Sequence, residues 1–356
     1  MSPTTLSPAL LRNFVPALAL AAVAALACVA LDTPLPWMIG PLFATAAACM
    51  LGARLAAPVQ AREAGQWAIG TALGLYFSAP VLAALARNLA WIVLAVAFTV
   101  CLGMACGALL RRLSGCDAAT AFFAMAVGGA SEMAVQAERH GAAVDRVAAA
   151  HSLRIMLVVG TIPFAVRWLG RHGWGDGLDA FLPLAARVDG AGLAVLALLT
   201  SACALVLKRI RLPNAWVIGP LLMAMALTAA GIELSHLPEW MVRCGQLLIG
   251  VSLGTRFTRA FVHTAPRYLA AVAGCTLAML LAAGLFALVV AQATSLHPGT
   301  MILATSPGGI AEMSLTARVL HLGVPVVTAF HVSRMVFVVL TIGPLYRGWR
   351  RLRRPA

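Results

Sequence analysis

An internal duplication constrains this chain more than any other feature. The stretch from Gly128 to Ile162 returns as Gly308 to Ile342, 180 residues later and without a gap, and 14 of its 35 positions are identical. The first copy opens with GGASEM and closes with HSLRIMLVVGTI, and the second opens with GGIAEM and closes with HVSRMVFVVLTI. Only 11% of the residues are charged, so the recurring glutamate and arginine are more informative than matches of Ala or Val. We infer a duplicated unit that carries one Glu, one His and one Arg in apolar surroundings.

The composition predicts an all-α polytopic membrane protein. The chain is 62% hydrophobic and 11% charged, whereas soluble domains are about 45–50% apolar and about 25% charged. Too few polar residues remain to cover a soluble surface, and the apolar runs suit helices that cross a hydrocarbon core of about 30 Å. The net charge of +14 comes from residues that lie between these runs, as topology signals do. We therefore expect the lipid bilayer as a partner and no direct contact with nucleic acid.

The apolar segments divide the chain into two units. The first membrane repeat covers 1–170, a polar linker covers 171–189, the second repeat covers 190–347, and a basic tail covers 348–356. The predicted segments are 14–31, 36–52, 65–79, 89–110, 118–137 and 147–168, then 190–207, 213–231, 244–255, 268–291, 299–317 and 325–346. A second anchor supports the match, because Trp37-Met-Ile-Gly-Pro41 corresponds to Trp216-Val-Ile-Gly-Pro220.

Charge orients the segments. If every segment crosses except 118–137 and 299–317, which would enter and leave on one face, 18 of the 26 basic residues fall on the cytoplasmic side. Five crossings per unit make the two units inverted copies, an arrangement found in many secondary transporters. Six crossings per unit would make them parallel and would put Lys208, Arg209 and Arg211 outside, against the positive-inside rule. The sequence favours inverted repeats of about five spanning helices, each with a broken or re-entrant helix.

A pair of glycines precedes the glutamate in each copy. The first set is Gly128, Gly129 and Glu132, and the second is Gly308, Gly309 and Glu312. Adjacent glycines interrupt a helix, and a break in hydrocarbon survives only inside protein or beside water. Each glutamate then falls in the first turn of the next half-helix, near its positive dipole end. This position fits a helix cap that binds nothing, and it equally fits a ligand site.

The histidine and the arginine of each copy share one helix face. The pairs are His151 with Arg154 and His331 with Arg334, each three residues apart. An arginine in mid-membrane costs about 2.5–3.5 kcal/mol on insertion scales, so it should be paired or lie in a polar cavity. We hypothesise ion pairs of Glu132 with Arg154 and of Glu312 with Arg334. A bound anion, or a proton carried by Glu or His, is the functional alternative.

The duplicated L-P-W-x-I-G-P, G-G-x-x-E-M and A-x-H-x-x-R pattern resembles the AbrB family of bacterial membrane proteins over residues 15 to 347. That resemblance implies a multi-pass protein of the bacterial inner membrane, and the basic tail predicts a cytoplasmic C-terminus. The family carries two labels, regulator of gene expression and ammonia monooxygenase.

We expect a carrier or permease for a small solute or ion, with a midplane pocket at the ten repeat-matched Gly, Glu, His and Arg residues named above. A membrane-bound regulator that senses a ligand or partner is the alternative. Two matched histidines are few ligands for a redox metal, so we expect no catalytic residue, metal or cofactor. A homo-oligomer stays open.

Overall fold

The computed structural model describes residues 8–174, 187–259, 266–294 and 296–352, and these residues fold into α-helices without a β-strand. The helices are α1 (Pro8–Ala30), α2 (Pro36–Met50), α3 (Val59–Gly74), α4 (Ala79–Arg87), α5 (Leu89–Ser114), α6 (Ala118–Met125), α7 (Ala130–Arg139), α8 (Val144–Leu169), α9 (Gly190–Arg209), α10 (Ala215–Ala229), α11 (Glu239–Gly254), α12 (Pro266–Thr294), α13 (Pro298–Thr305), α14 (Ile310–Val319) and α15 (Val324–Leu352). A short π-helix, Gly170–Trp174, follows α8. The predicted all-α class is confirmed.

Six of the helices in the described part of the chain are long and apolar enough to cross a membrane. They are α1, α5, α8, α9, α12 and α15, and each has a counterpart among the predicted segments. Four other predicted spans, α2, α3, α10 and α11, have 15 or 16 residues, or about 24 Å of helix at most. The protein is a multi-pass membrane protein in which the short helices lie between longer ones.

One predicted span is not a single helix. Residues 65–79 were expected to cross as one segment, but α3 ends at Gly74 and α4 begins at Ala79 after a bend of 86°. The helix ends where the N–H groups of Tyr76 and Phe77 bond to carbonyls three residues back. Pro80 then lies in the first turn of α4, where its missing N–H costs no helical hydrogen bond.

The four short helices cross at the centre through glycines. A methyl group on Gly250 of α11 would lie 2.7 Å from the backbone oxygen of Met38 in α2. A methyl group on Gly70 of α3 would collide in the same way with the backbone oxygen of Val217 in α10. These positions correspond between the two units, so each unit's glycine-bearing helix packs against the other unit's Trp-x-Ile-Gly-Pro helix. Gly65 and Gly245 meet each other where α3 crosses α11.

Ion pairs join the ends of distant helices. Arg167 at the end of α8 binds Asp32 in the turn after α1. Lys208 at the end of α9 lies 2.7 Å from Glu63 in the second turn of α3. Arg318 at the end of α14 lies 2.6 Å from Glu239 at the start of α11. Each ion pair holds the ends of two helices at the same level of the molecule.

Each predicted region falls partly outside the described residues. The parts outside are 1–7 of the first repeat, 175–186 of the linker, 260–265 and 295 of the second repeat, and 353–356 of the basic tail. The remainder of that tail continues α15, which runs to Leu352.

Candidate functional site

The helix breaks lie where the glycine pairs predict them. Helix α6 ends at Met125 and α7 begins after its N-cap residue, Gly129. In the second unit α13 ends at Thr305 and α14 begins after its N-cap residue, Gly309. Glu132 and Glu312 are in the first turns of α7 and α14, so the expectation of two interrupted helices with a glutamate after each interruption is confirmed.

Each glutamate folds back over the second glycine of its pair. A methyl group on Gly129 would overlap Oε2 of Glu132, and one on Gly309 would overlap Oε2 of Glu312. The backbone angles of Gly129, φ −67° and ψ 140°, are open to any residue. Glycine is therefore needed at this position for space, since the carboxylate occupies the volume of a β-carbon.

The buried histidines hold the arginines. Nε2 of His151 donates a hydrogen bond to the carbonyl oxygen of Phe123 at 2.9 Å, because a carbonyl can only accept. Nδ1 of His151 then accepts from a guanidinium nitrogen of Arg154 at 2.9 Å. His331 repeats both contacts, with Leu303 and Arg334 as its partners. Each ring is fixed as one neutral tautomer that positions an arginine.

The arginines bind the carbonyls that the breaks expose. Arg154 donates to the carbonyl of Ala126, the C-cap residue of α6, at 3.0 Å. Arg334 donates to the carbonyls of Ser306 at 2.7 Å and Gly308 at 2.5 Å. The C-terminal end of a helix is the negative end of its dipole. Each break is therefore stabilised by an arginine at the end of one half-helix and a glutamate at the start of the next.

The predicted ion pairs of Glu132 with Arg154 and of Glu312 with Arg334 are wrong. Among the described residues, neither glutamate has a basic partner within 4.0 Å, and Oε2 of Glu132 is buried without a hydrogen-bond partner. The prediction failed because repeat spacing matches charges but cannot tell which end of a broken helix each one caps. The longer-range electrostatic partners are Arg62 for Glu132 and Arg256 for Glu312.

A cavity of about 120 Å³ lies between the two breaks. Six of the predicted residues line it: Gly128, Gly129, Arg154, Gly308, Gly309 and Glu312. The remaining four, Glu132, His151, His331 and Arg334, are not among its lining residues, and both histidines are completely buried. The structure thus brings the two glycine pairs together around one cavity with a mixed polar and apolar lining.

Four polar lining residues were not among the predicted site residues. They are Arg62, Gln66, Asn214 and Arg256. A signal existed for Gln66, which matches Gln246 in the second unit. Arg62 and Arg256 have no arginine at the corresponding position of the other copy, and the sequence pattern does not distinguish them from ordinary membrane-flanking charges.

Arg154 is the most deeply buried cation of the cavity lining. Its side chain is 3% exposed, and its Nε atom has no hydrogen-bond partner in the described part of the protein. Arg154 therefore places a buried positive charge in the wall of the cavity. No three His, Cys, Asp or Glu side chains of the described residues come together as a metal site would need.

Comparisons with known proteins agree with the sequence resemblance. The family model described as "Transition state regulatory protein AbrB" matches residues 37–350. The chain is 26% identical over 333 residues to "Uncharacterized protein YhjN" of Bacillus subtilis (strain 168), covering 87% of this chain and 86% of that protein. It is 27% identical over 324 residues to "Putative regulator AbrB" of Escherichia coli (strain K12), covering 88% of this chain and 90% of the relative. No solved structure matches. The family match spans most of the chain, and this chain therefore belongs to the AbrB family.

Proposed function

We propose that this protein is a secondary-carrier-like or permease-like membrane protein that binds a small solute in the cavity between its two helix breaks. The observation that carries the proposal is the shared cavity, because both glycine pairs contribute to it although they lie 180 residues apart. Interrupted helices around a polar site near the midplane are typical of secondary transporters. Peptide groups outside a helix are tolerated at membrane depth where they line a cavity, as the two helix breaks do here.

The ion pairs between helix ends support inverted repeats. With five crossings per unit, Asp32 and Arg167 both fall outside, and Glu63 and Lys208 both fall inside. Glu239 and Arg318 likewise fall on one side, the outside. Six crossings per unit would separate the partners of all three pairs by a hydrocarbon core of about 30 Å, which contacts such as the 2.7 Å between Lys208 and Glu63 forbid.

Reciprocal packing supports the same arrangement. The pairs α3 with α10 and α11 with α2 use corresponding glycines and corresponding backbone oxygens. The meeting of Gly65 with Gly245 is the contact expected where a two-fold axis passes between related helices. Two halves related in this way can exchange conformations, which is the basis of alternating access.

The cavity opens toward the cytoplasm in this assignment. Arg62 and Arg256 lie in segments that the charge pattern puts on the cytoplasmic side, and both line the cavity. The same pattern puts the C-terminus there and the protein in the bacterial inner membrane. We assign the present conformation to the inward-facing state of the carrier.

Solute flux tests the proposal. Purified protein in liposomes should take up at least one labelled solute from a panel of carboxylates, amino acids and sugars faster than protein-free liposomes do. The Glu312→Gln variant should lose that uptake, because Glu312 lines the cavity. Glu239→Gln is the control, since Glu239 lies in an ion pair on the surface. Wild-type protein that binds a solute from the panel and moves none would overturn the carrier proposal.

A ligand-sensing membrane regulator is the second candidate. The printed name of the Escherichia coli relative and the description of the family model both refer to regulation. The same cavity would then hold an effector, and a partner protein would transmit the signal. Binding without flux is the result that this candidate predicts.

A further inference from the structure

The cavity has an excess of positive charge. Its lining contains three arginines, Arg62, Arg154 and Arg256, and one carboxylate, Glu312. The predicted ion pair of Arg154 with Glu132 does not form. Arg154 donates its hydrogen bonds to a backbone carbonyl and to a neutral histidine instead. Arg62 and Arg256 have Glu132 and Glu312 as longer-range electrostatic partners, whereas the buried Arg154 has no carboxylate within 4.0 Å among the described residues. Burying a charge without a charged partner is costly, so the lining favours an occupant that brings negative charge.

The neighbouring backbone adds to this preference. Helices α7 and α14 begin at the cavity with Gly129 and Gly309 as N-cap residues. The start of a helix offers unpaired N–H groups and the positive end of its dipole. Arg154, which is 3% exposed, lines the same space. Glu132 and Glu312 already lie at these helix starts, so the arginines of the lining are the main attraction for an anionic ligand.

The rest of the lining limits the size and type of that ligand. Ile155, Val217, Ile249 and Leu253 form apolar walls beside the arginines. The volume of about 120 Å³ is somewhat below the roughly 150 Å³ of an engineered cavity that accepts benzene. A ligand of about six non-hydrogen atoms or fewer fits that space. A guanidinium binds a carboxylate through two parallel hydrogen bonds.

We propose that the cavity binds a small organic carboxylate, of about two to four carbon atoms, with its charged end on the arginines and its hydrocarbon end on the apolar walls. This inference rests on the proposed carrier site and names the class of its substrate. Glu312 lies across the same space and sets an upper limit on negative charge, which favours a monocarboxylate over a dicarboxylate.

Titration calorimetry on the detergent-purified protein tests this directly. The probes are propionate, the isosteric but uncharged propionamide, and inorganic phosphate, in a buffer of low chloride. We expect propionate to bind at least tenfold more tightly than propionamide, because hydrogen bonds to charged groups contribute more than neutral ones. Equal affinity for propionate and propionamide would overturn the inference, as would binding of phosphate alone.

Variants assign the binding to the arginines. Arg256→Gln should weaken propionate binding about tenfold or more, and Arg62→Gln should do the same. The matched controls remove equal charge nearby: Arg259→Gln beside the first and Arg54→Gln beside the second, both exposed residues outside the lining. We expect the controls to bind propionate within twofold of the wild type. Equal losses in variants and controls would reduce the effect to general electrostatics and overturn the site.

Flux separates this inference from the carrier proposal. Propionate binding without uptake into liposomes keeps the carboxylate site and overturns the carrier. Uptake of a cation or a neutral solute by protein that does not bind propionate overturns the carboxylate site and keeps the carrier. The propionate and propionamide comparison uses wild-type protein, so it holds even where a variant fails to fold.

Discussion

At the scale of single residues, charge in this membrane protein is used to cap broken helices. Each break places an arginine on the carbonyls that end one half-helix and a glutamate at the start of the next. The histidine between them is a rigid holder, because both of its ring nitrogens are already bonded. Three buried charges and the half-buried Glu132 are thereby accommodated without a direct ion pair among them.

The space under the carboxylate gives a first prediction. Gly309→Ala should lower the free energy of unfolding by about 1–3 kcal/mol, the usual cost of an extra methyl group in a filled site, because the methyl group would overlap Glu312. Thermal unfolding in detergent measures the change. Gly284→Ala is the control, since a methyl group there meets no atom within 4 Å. Equal melting temperatures for the two variants would contradict the packing.

The hydrogen-bond pattern gives a second prediction. In double-mutant cycles on unfolding stability, Arg334 and His331 should couple by about 0.5–3 kcal/mol, as residues in contact do, since they lie 2.8 Å apart. Arg334 and Glu312 should couple less. The variants are Arg334→Gln, His331→Gln and Glu312→Gln, alone and in pairs. If Arg334 couples more strongly with Glu312 than with His331, the two charged residues form an ion pair and the hydrogen-bond pattern described above is wrong.

At the scale of helices, glycine sets how closely the central elements approach. Helices α2, α3, α10 and α11 are too short to cross a full hydrocarbon core as straight, isolated spans, and the long helices have exposed apolar side chains such as Leu281 and Leu285 of α12. The least buried long helices, α1, α9 and α12, therefore have most of their surface open to lipid, while the short helices pack backbone against backbone. Small residues at such crossings are what membrane packing favours.

These crossings give a third prediction. Gly250→Ala should destabilise the protein by about 1–3 kcal/mol, because the methyl group would lie 2.7 Å from a backbone oxygen and 2.9 Å from Pro41. Gly70→Ala should have a similar effect, since its contact is reciprocal. Gly274→Ala serves as the reference, because its methyl group would meet open space. If Gly274→Ala lowers the unfolding temperature as much as Gly250→Ala and Gly70→Ala do, the central helices do not approach as closely as described.

At the scale of the whole molecule, the surface ion pairs fix which helix ends lie next to each other. Asp32 with Arg167, Glu63 with Lys208, and Glu239 with Arg318 each join residues more than 70 positions apart. Exposed pairs of this kind contribute only about 0–1 kcal/mol each to stability. Their value here is geometric, because both partners must lie on the same face of the membrane.

Topology gives the fourth prediction. In a background without the eight native cysteines, Leu31→Cys should react with an impermeant maleimide from the outside, and Arg209→Cys from the inside. Arg54→Cys should label from the same side as Arg209→Cys. All three native residues are exposed. Labelling of positions 31 and 209 from one side would make the units parallel and remove the main support for a carrier.

The sequence by itself determined the all-α membrane class, the positions of both helix breaks and six of the residues around the cavity. These features follow from local physics: apolar length, helix interruption by glycine, and recurrence of charged residues where charge is scarce.

The tertiary structure decided which groups meet. It bonded the arginines to backbone carbonyls, bent the chain by 86° between α3 and α4, and added Arg62 and Arg256 to the cavity. Such contacts depend on how helices that are far apart in the sequence cross each other, and the spacing of residues along the chain does not determine those crossings.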